Sequence, residues 1–162
     1  TTEIYTLSLH DALPISQYGK CVLKWLGGKG TQNKKFLKRF LDPMGVAKSI
    51  LHPNFAQIYE VEADECRYVL REWVEGFTLK QKLDEVQQLS LVEANHFLKQ
   101  MASGLDAAYS SGLVNKNIKS TNILIGSGNV VKIVDFSMPP TAPYYLSPEQ
   151  CEGKKSDVRS DI

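Results

Sequence analysis

Gly112-Leu113-Val114-Asn115-Lys116-Asn117-Ile118-Lys119-Ser120-Thr121-Asn122-Ile123-Leu124, followed by Val131-Lys132-Ile133-Val134-Asp135-Phe136-Ser137, is the stretch on which the fold turns. Gly112 stops a long helical pattern, because glycine readily takes the left-handed conformation that closes a helix. Ser90 and Glu93 upstream have the spacing of a capping box, which predicts where that helix starts. Between them Ala94, Phe97, Leu98, Met101, Leu105, Ala108 and Tyr109 recur on one apolar face. Past Gly112 the chain is a polar loop. Two short strands are then predicted over 123–125 and 130–134, around the turn Gly126-Ser127-Gly128-Asn129.

Outward from this centre, Lys20-Cys21-Val22-Leu23-Lys24-Trp25-Leu26 has strand composition, and Gly27, Gly28 and Gly30 punctuate its end. Residues 33–49 carry a helical pattern in Phe36, Leu37, Phe40, Leu41, Met44 and Ala47. Pro43 and Gly45 interrupt it, which predicts a kinked or split helix. His52-Pro53-Asn54 reads as a turn. Strands are expected over 56–62 and 67–72, joined by Ala63-Asp64-Glu65. Val74-Glu75-Gly76 reads as a linker and residues 79–83 as a short helix; after Asp135 the chain is Pro-rich and irregular. This order predicts an α+β protein with a sheet-rich part followed by a helix-rich part.

Composition narrows the function classes. Hydrophobic content of 43% and charged content of 23% over 162 residues are ordinary for a globular domain. A net charge of +1 gives no long-range field for nucleic acid or an anionic membrane. The apolar runs are too short to span a bilayer. Cys21, Cys66 and Cys151 are widely spaced and include no C-x-x-C, so neither a disulfide framework nor a zinc site is expected.

Residues 1–16, TTEIYTLSLHDALPIS, resemble the conceptual translation of a common short-read sequencing adapter, which matches Thr1 through Ile15 without a mismatch. A targeting peptide is the competing reading, but there is no basic first region and no uninterrupted apolar core. The stretch is therefore set aside from the fold expectation, and the pair His10 and Asp11 with it.

From about Tyr18 to Ile162 the chain resembles the bacterial serine/threonine protein kinase family. Val22-Leu23-Lys24 is similar to the family's Val-Ala-Ile-Lys strand, which implies that Lys24 holds nucleotide phosphates. Residues 68–79 resemble the strand–hinge–helix segment, which implies that the backbone from Glu72 to Val74 contacts adenine. Gly112 to Leu124 resembles the catalytic loop, usually Gly-Ile-Val-His-Arg-Asp-Ile-Lys-Pro-x-Asn-Ile-Leu. Lys119 then stands at the phosphate-contacting lysine, and Asn122 and Asp135 at the Mg²⁺ ligands. Tyr145-Leu146-Ser147-Pro148-Glu149-Gln150 resembles the end of the activation segment, and Asp161 the aspartate that braces the catalytic loop.

The resemblance implies a two-lobed kinase-like fold, incomplete because a whole domain runs to roughly 250–280 residues. The expected N-lobe part covers 17–74 and lacks the Gly-rich hairpin. The C-lobe part covers 75–162 and stops at the start of its central helix. Low stability in isolation is expected, with the arginine partner of Glu149 lying beyond Ile162.

Four departures from the family pattern stand out. The His-Arg-Asp triplet reads Asn115-Lys116-Asn117, so an amide replaces the catalytic carboxylate at Asn117. The glutamate expected on the regulatory helix is Pro43, with Asp42 beside it and Glu60 and Glu62 too far along to substitute. Arg71 replaces the apolar residue before the hinge, and would either enter the adenine pocket or turn to solvent. The segment from Ser137 to Ser147 is shorter than the roughly 20 residues usual there.

The expectation is therefore a pseudokinase that binds ATP and Mg²⁺ and acts through a protein partner. The alternative is an active serine/threonine kinase that compensates for Asn117 through Asp135 or substrate-assisted transfer. The resemblance also implies a cytoplasmic location for this region, with any membrane anchor lying outside it.

Overall fold

The computed structural model describes residues 5–8, 18–25, 34–62, 67–136 and 143–162, with side chains described for all of these but 5–8 and 34–40. The glycines after Leu26, the link over 63–65, Cys66 and residues 137–142 lie outside the described residues, as do His10 and Asp11. The chain divides into two compact units, one of residues 1–51 and 56–73 and one of residues 52–55 and 74–162.

In the first unit, β1 (Tyr5–Ser8), β2 (Cys21–Trp25), β3 (Ile58–Glu62) and β4 (Tyr68–Glu72) form an antiparallel sheet in the order β1-β2-β4-β3. α1 (Lys34–Ala47) packs beside β3. It runs as one helix with Pro43 inside, so the interruption does not split it. Leu41, Met44 and Ala47 are buried at helical spacing, and this packing outweighs the weak local propensity. The strand at Tyr5–Ser8 departs from the expectation that residues 1–16 take no part in the fold. β2 has an open edge on that side, and an open row of backbone groups pairs with any β-prone segment within reach.

The second unit is built on α3 (Leu91–Ser110) and a three-stranded antiparallel sheet of β5 (Gly76–Thr78), β6 (Ile123–Gly126) and β7 (Val131–Ile133). α2 (Leu79–Val86) links β5 to α3, and α4 (Pro148–Cys151) follows near the end. The register pairs Ile123 with Ile133 and Ile125 with Val131, so all four point to one face. There they pack with Phe97 of α3 into the core, joined by Met101, Leu105 and Ile118.

Gly76 corrects the linker expectation for its neighbourhood, because it opens a strand. A Cβ on it would overlap the carbonyl oxygen of Ile125, so only glycine lets β5 approach β6. Three residues are too few for a strand pattern to emerge in sequence. Gly104 plays a similar part on α3, where a Cβ would sit 3.0 Å from the Asn54 carbonyl.

The turn at His52-Pro53-Asn54 belongs with the second unit, not with the strands around it. The Asn54 amide donates to the Val131 carbonyl and to Gln100 Oε1, each at 2.9 Å, and the Asn54 carbonyl accepts from Ile133 N–H at 3.0 Å. Phe55 forms a parallel bridge to Ile133, and its ring packs 5.1 Å from that of Phe136.

The start of α3 is as the sequence predicts. The Ser90 hydroxyl accepts the Glu93 N–H at 3.2 Å, and the Glu93 carboxylate accepts back from Ser90. The Ser90 hydroxyl and Lys82 hold the Glu93 carboxyl below the usual carboxylate range. A lowered folded-state pKa contributes stability above the unfolded value of 4.5 that fades as pH falls through the folded one. Ser90→Ala is expected to lower the stability of the full chain by about 1 kcal/mol in urea titration. The difference from wild type should shrink on acidification below that value.

The apolar face of α3 is only partly covered. Phe97 and Ala108 are buried, whereas Leu98 is 61% and Tyr109 52% exposed, against the expectation of one continuous inward face.

Candidate functional site

The loop after α3 gathers most of the polar residues singled out in the sequence. Its frame is set by Asp161. One carboxylate oxygen accepts the Asn115 N–H at 2.7 Å and the other accepts the Lys116 N–H at 2.6 Å. Lys116 has φ of 66°, a left-handed conformation that an ordinary L-residue keeps only when its surroundings hold it. The two Asp161 bonds, together with Gln150 Nε2 donating to the Lys116 carbonyl at 2.9 Å, provide that hold. Burial pushes the Asp161 carboxyl up, opposed by the two N–H donors and by the charge of Lys116.

Asn117 sits inside this frame and is buried. Its N–H donates to Asn115 Oδ1 at 3.2 Å, its carbonyl accepts from Asn122 Nδ2 at 3.0 Å, and its own Nδ2 donates to the Asp135 carbonyl at 3.4 Å. The backbone of residue 117 is thus clasped from both sides. The side-chain amide ties the loop to the end of β7. Asn115 is fully buried; its amide nitrogen has no hydrogen-bond partner among the described residues.

Asn122 is buried at the end of a 3₁₀ turn over Ser120–Asn122, its N–H donating to the Lys119 carbonyl at 2.8 Å. Its carbonyl accepts the Val134 N–H at 2.9 Å, which joins it to the residue before Asp135. Because Nδ2 is committed to Asn117, Oδ1 is the atom that Asn122 has to offer. Asp135 is half-buried with φ of 57°, a left-handed conformation that aspartate tolerates better than most residues. An amide oxygen and a carboxylate are the hard donors that Mg²⁺ takes in pairs, its remaining positions filled by water and phosphate. The residues present fit that ion. Among the described residues no cluster of three His, Cys, Asp or Glu offers an alternative metal centre.

Lys119 is half-buried in the same loop. Tyr145 lies beyond residues 137–142 and reaches the loop, its hydroxyl 3.1 Å from that of Ser120. The Glu149 carboxylate accepts the Ser160 hydroxyl, which holds it below the usual carboxylate range. Asn117, Lys119, Asn122 and Asp135 are therefore brought together within the second unit.

Lys24 and Glu72 belong to the first unit, while Val74 begins the second, where it is half-buried near Gly126. Lys24 is 9% exposed, on a strand whose neighbours Val22 and Val69 are also buried. Glu72 ends β4, its N–H donating to the Gln57 carbonyl at 2.8 Å. Asp42 on α1 is exposed, and Pro43 beside it brings no carboxylate. Arg71, open between two orientations in sequence, is half-buried and points to the Lys24 face of the sheet: β2 pairs Val22 with Arg71 and Lys24 with Val69. Its guanidinium donates to the Glu72 carbonyl at 2.9 Å.

Sequence reasoning missed Gln150 and Asn115 as parts of the loop frame. A polar residue in a capping position or in a loop carries no mark of the long-range bond it will make. Among the described residues no helix is long and apolar enough to cross a membrane.

The protein kinase domain model matches residues 16–162. PrkC of Bacillus subtilis, a serine/threonine-protein kinase, is 32% identical over 145 residues, covering 80% of this chain and 22% of its own length. A probable serine/threonine-protein kinase PknB of Lactococcus lactis is 30% identical over 78% of this chain and 22% of its own length. This chain thus spans about a fifth of those relatives. The solved kinase domain of Mycobacterium tuberculosis PknI matches 99% of this chain and 64% of its own, with a TM-score of 0.78 at 25% identity. The chain has the protein kinase fold and belongs to the bacterial serine/threonine branch of the protein kinase family.

Proposed function

We propose that this chain holds a magnesium–nucleoside triphosphate, ATP among them, but transfers its phosphoryl group slowly or not at all. Its output is then control of a protein partner. The observation that carries the reading is Asn117. By the catalytic-loop resemblance residue 117 falls where the family keeps its catalytic aspartate; here it is an amide, whose Nδ2 donates to the Asp135 carbonyl.

Phosphoryl transfer rests on positioning and charge. On the nucleotide side the family resemblance supplies residues in each unit. Lys24 is a cation on the sheet, Lys119 a cation in the loop, and Asn122 Oδ1 with the Asp135 carboxylate would hold Mg²⁺. When bound, that ion neutralises charge on the phosphate oxygens. On the acceptor side the substrate hydroxyl must be oriented and must lose a proton. A carboxylate at residue 117 would accept that hydrogen bond. A neutral amide has no useful basicity, and its oxygen is a weaker acceptor.

Nucleotide binding has its own test, separate from transfer. Saturating the full chain with Mg·ATP at about 100 times Kd is expected to add about 2.7 kcal/mol of stability. The melting temperature then rises by several degrees. The gain should need Mg²⁺ and should vanish in Lys24→Met and in Asp135→Ala. A melting temperature indifferent to Mg²⁺ with any purine nucleoside triphosphate would overturn the nucleotide-binding reading.

A further inference from the structure

Tyr18 and Tyr59 stack on one another in the first unit, with ring centroids 4.5 Å apart and ring planes 3° from parallel. Local structure brings them together. β3 pairs with β4 through Ile58 and Arg71 and next through Glu60 and Leu70, so Tyr59 is the extra residue of a β-bulge. A bulge bends its strand and re-aims the side chain it carries. Tyr18 comes in from the turn just before β2. β4 lies between β2 and β3, so the ring pair joins segments on either side of β4 outside the backbone ladder.

Two phenylalanines would stack as well as two tyrosines. What the phenols add is redox chemistry. A phenol that loses an electron and a proton becomes a phenoxyl radical, with part of its unpaired spin on the carbons ortho to oxygen. In stacked rings such carbons meet without diffusion. Burial first, and then the charge of Glu72, push the Tyr59 phenol up, so it starts neutral and has a carboxylate nearby to draw off its proton. Both rings are half-buried, which leaves part of each open to a small oxidant.

We propose that Tyr18 and Tyr59 are a site of oxidative modification, where a peroxide acting through a haem peroxidase forms an intrachain dityrosine. Each phenol gives up one electron and one proton. The two ortho carbons join in a new C–C bond, and the hydrogens on those carbons move to the oxygens and restore both phenols. The two electrons and two protons reduce one hydrogen peroxide to two waters. The link closes a loop containing β2 and α1, and it fixes the strand that carries Lys24 relative to β3.

The test is treatment of the full chain with hydrogen peroxide and a haem peroxidase, in wild type, Tyr18→Phe and Tyr59→Phe. Peptide mass spectrometry and a thermal melt follow, both in excess dithiothreitol, which removes disulfides but not a C–C bond. Wild type is expected to give a linked peptide pair containing Tyr18 and Tyr59, in a yield unchanged by about tenfold dilution because one chain holds both partners. The linked protein should melt several degrees higher, since closing a long loop constrains the unfolded chain as a disulfide does. Either phenylalanine keeps the ring stack but lacks the phenol, so the intrachain link should disappear while the untreated protein melts as wild type does. Links that run only through Tyr144, which is 96% exposed, and that fade on dilution overturn the proposal. So does an intrachain link that survives in either variant, or an oxidised wild type in which Tyr18 and Tyr59 stay unlinked.

Discussion

Asn117→Asp is expected to raise the rate of phosphoryl transfer to a serine- or threonine-containing protein by about 10²–10⁴-fold, the usual contribution of a placed general base. The surroundings of residue 117 favour that outcome. Two of its three hydrogen bonds are made by its backbone, from its N–H to Asn115 Oδ1 and from Asn122 Nδ2 to its carbonyl. Both survive the substitution. Only the 3.4 Å bond from Asn117 Nδ2 to the Asp135 carbonyl is lost, and at that length it is the weakest of the three. A carboxylate turned away from the Asp135 carbonyl would be free to accept from a substrate hydroxyl. A phosphate-release or radiolabel-transfer assay on the full chain with a generic protein substrate checks this. A variant no faster than wild type would contradict the assignment of the missing base to residue 117.

The second large effect is on stability. Asp161→Ala is expected to cost about 3 kcal/mol, because two backbone donors lose a charged acceptor at once and Lys116 keeps its left-handed conformation without support. Asp161→Asn is expected to lose much of the same amount. Its amide offers one acceptor and turns an NH₂ toward the other N–H. The burial that raises the Asp161 pKa acts the other way. A raised folded-state value contributes stability below the unfolded 3.8 and loses it as pH rises through the folded one. At neutral pH the carboxylate is thus held by its two bonds against a desolvation cost.

The neighbouring Asp157–Arg159 pair is the control. Arg159 holds the Asp157 carboxyl down to about 2, but both side chains are exposed. Exposed pairs contribute little, so Arg159→Ala should leave stability nearly unchanged. Urea unfolding of the three variants at neutral pH measures all of this. Equal costs at Asp161 and Arg159 would remove Asp161 from its bracing role.

How legible the molecule was in its sequence depended on the range of the interaction. The start of α3 was readable because its cap is local, made by Ser90 and Glu93 three residues apart. β2, β3, β4, β6 and β7 were readable, to within a few residues, from apolar alternation and turn residues, whereas β1 lies in the stretch that had been set aside. β5 was not, because three residues bounded by glycine hold no period; what makes it a strand is the close approach of Gly76 to Ile125. The turn at Asn54 was read as a turn, but its attachment to β7 depends on bonds to Val131 and Ile133, some eighty residues away. The inward face of α3 was overdrawn at Leu98 and Tyr109, since helical spacing says which residues share a face and not whether a neighbour covers it.

The site divides in the same way. Lys24, Asn122 and Asp135 were named from a family pattern; Lys24 lies in the first unit and Asn122 and Asp135 in the second. The bracing role of Asp161 came from the same pattern and is visible as two short bonds. Which way Arg71 points could not be read from residue type alone. It needs the strand register, because one step along β4 moves a side chain to the opposite face. The lone amide nitrogen of Asn115 was invisible for the same reason: burial is a property of the assembled loop.

Nucleotide affinity set beside transfer rate, in wild type and Asn117→Asp from the same preparation, addresses the core of this reading. The expected result is the same Mg²⁺-dependent Kd for the preferred purine nucleotide in both proteins, with rates at least about a hundredfold apart. Wild type transferring phosphoryl groups as fast as the aspartate variant would contradict it.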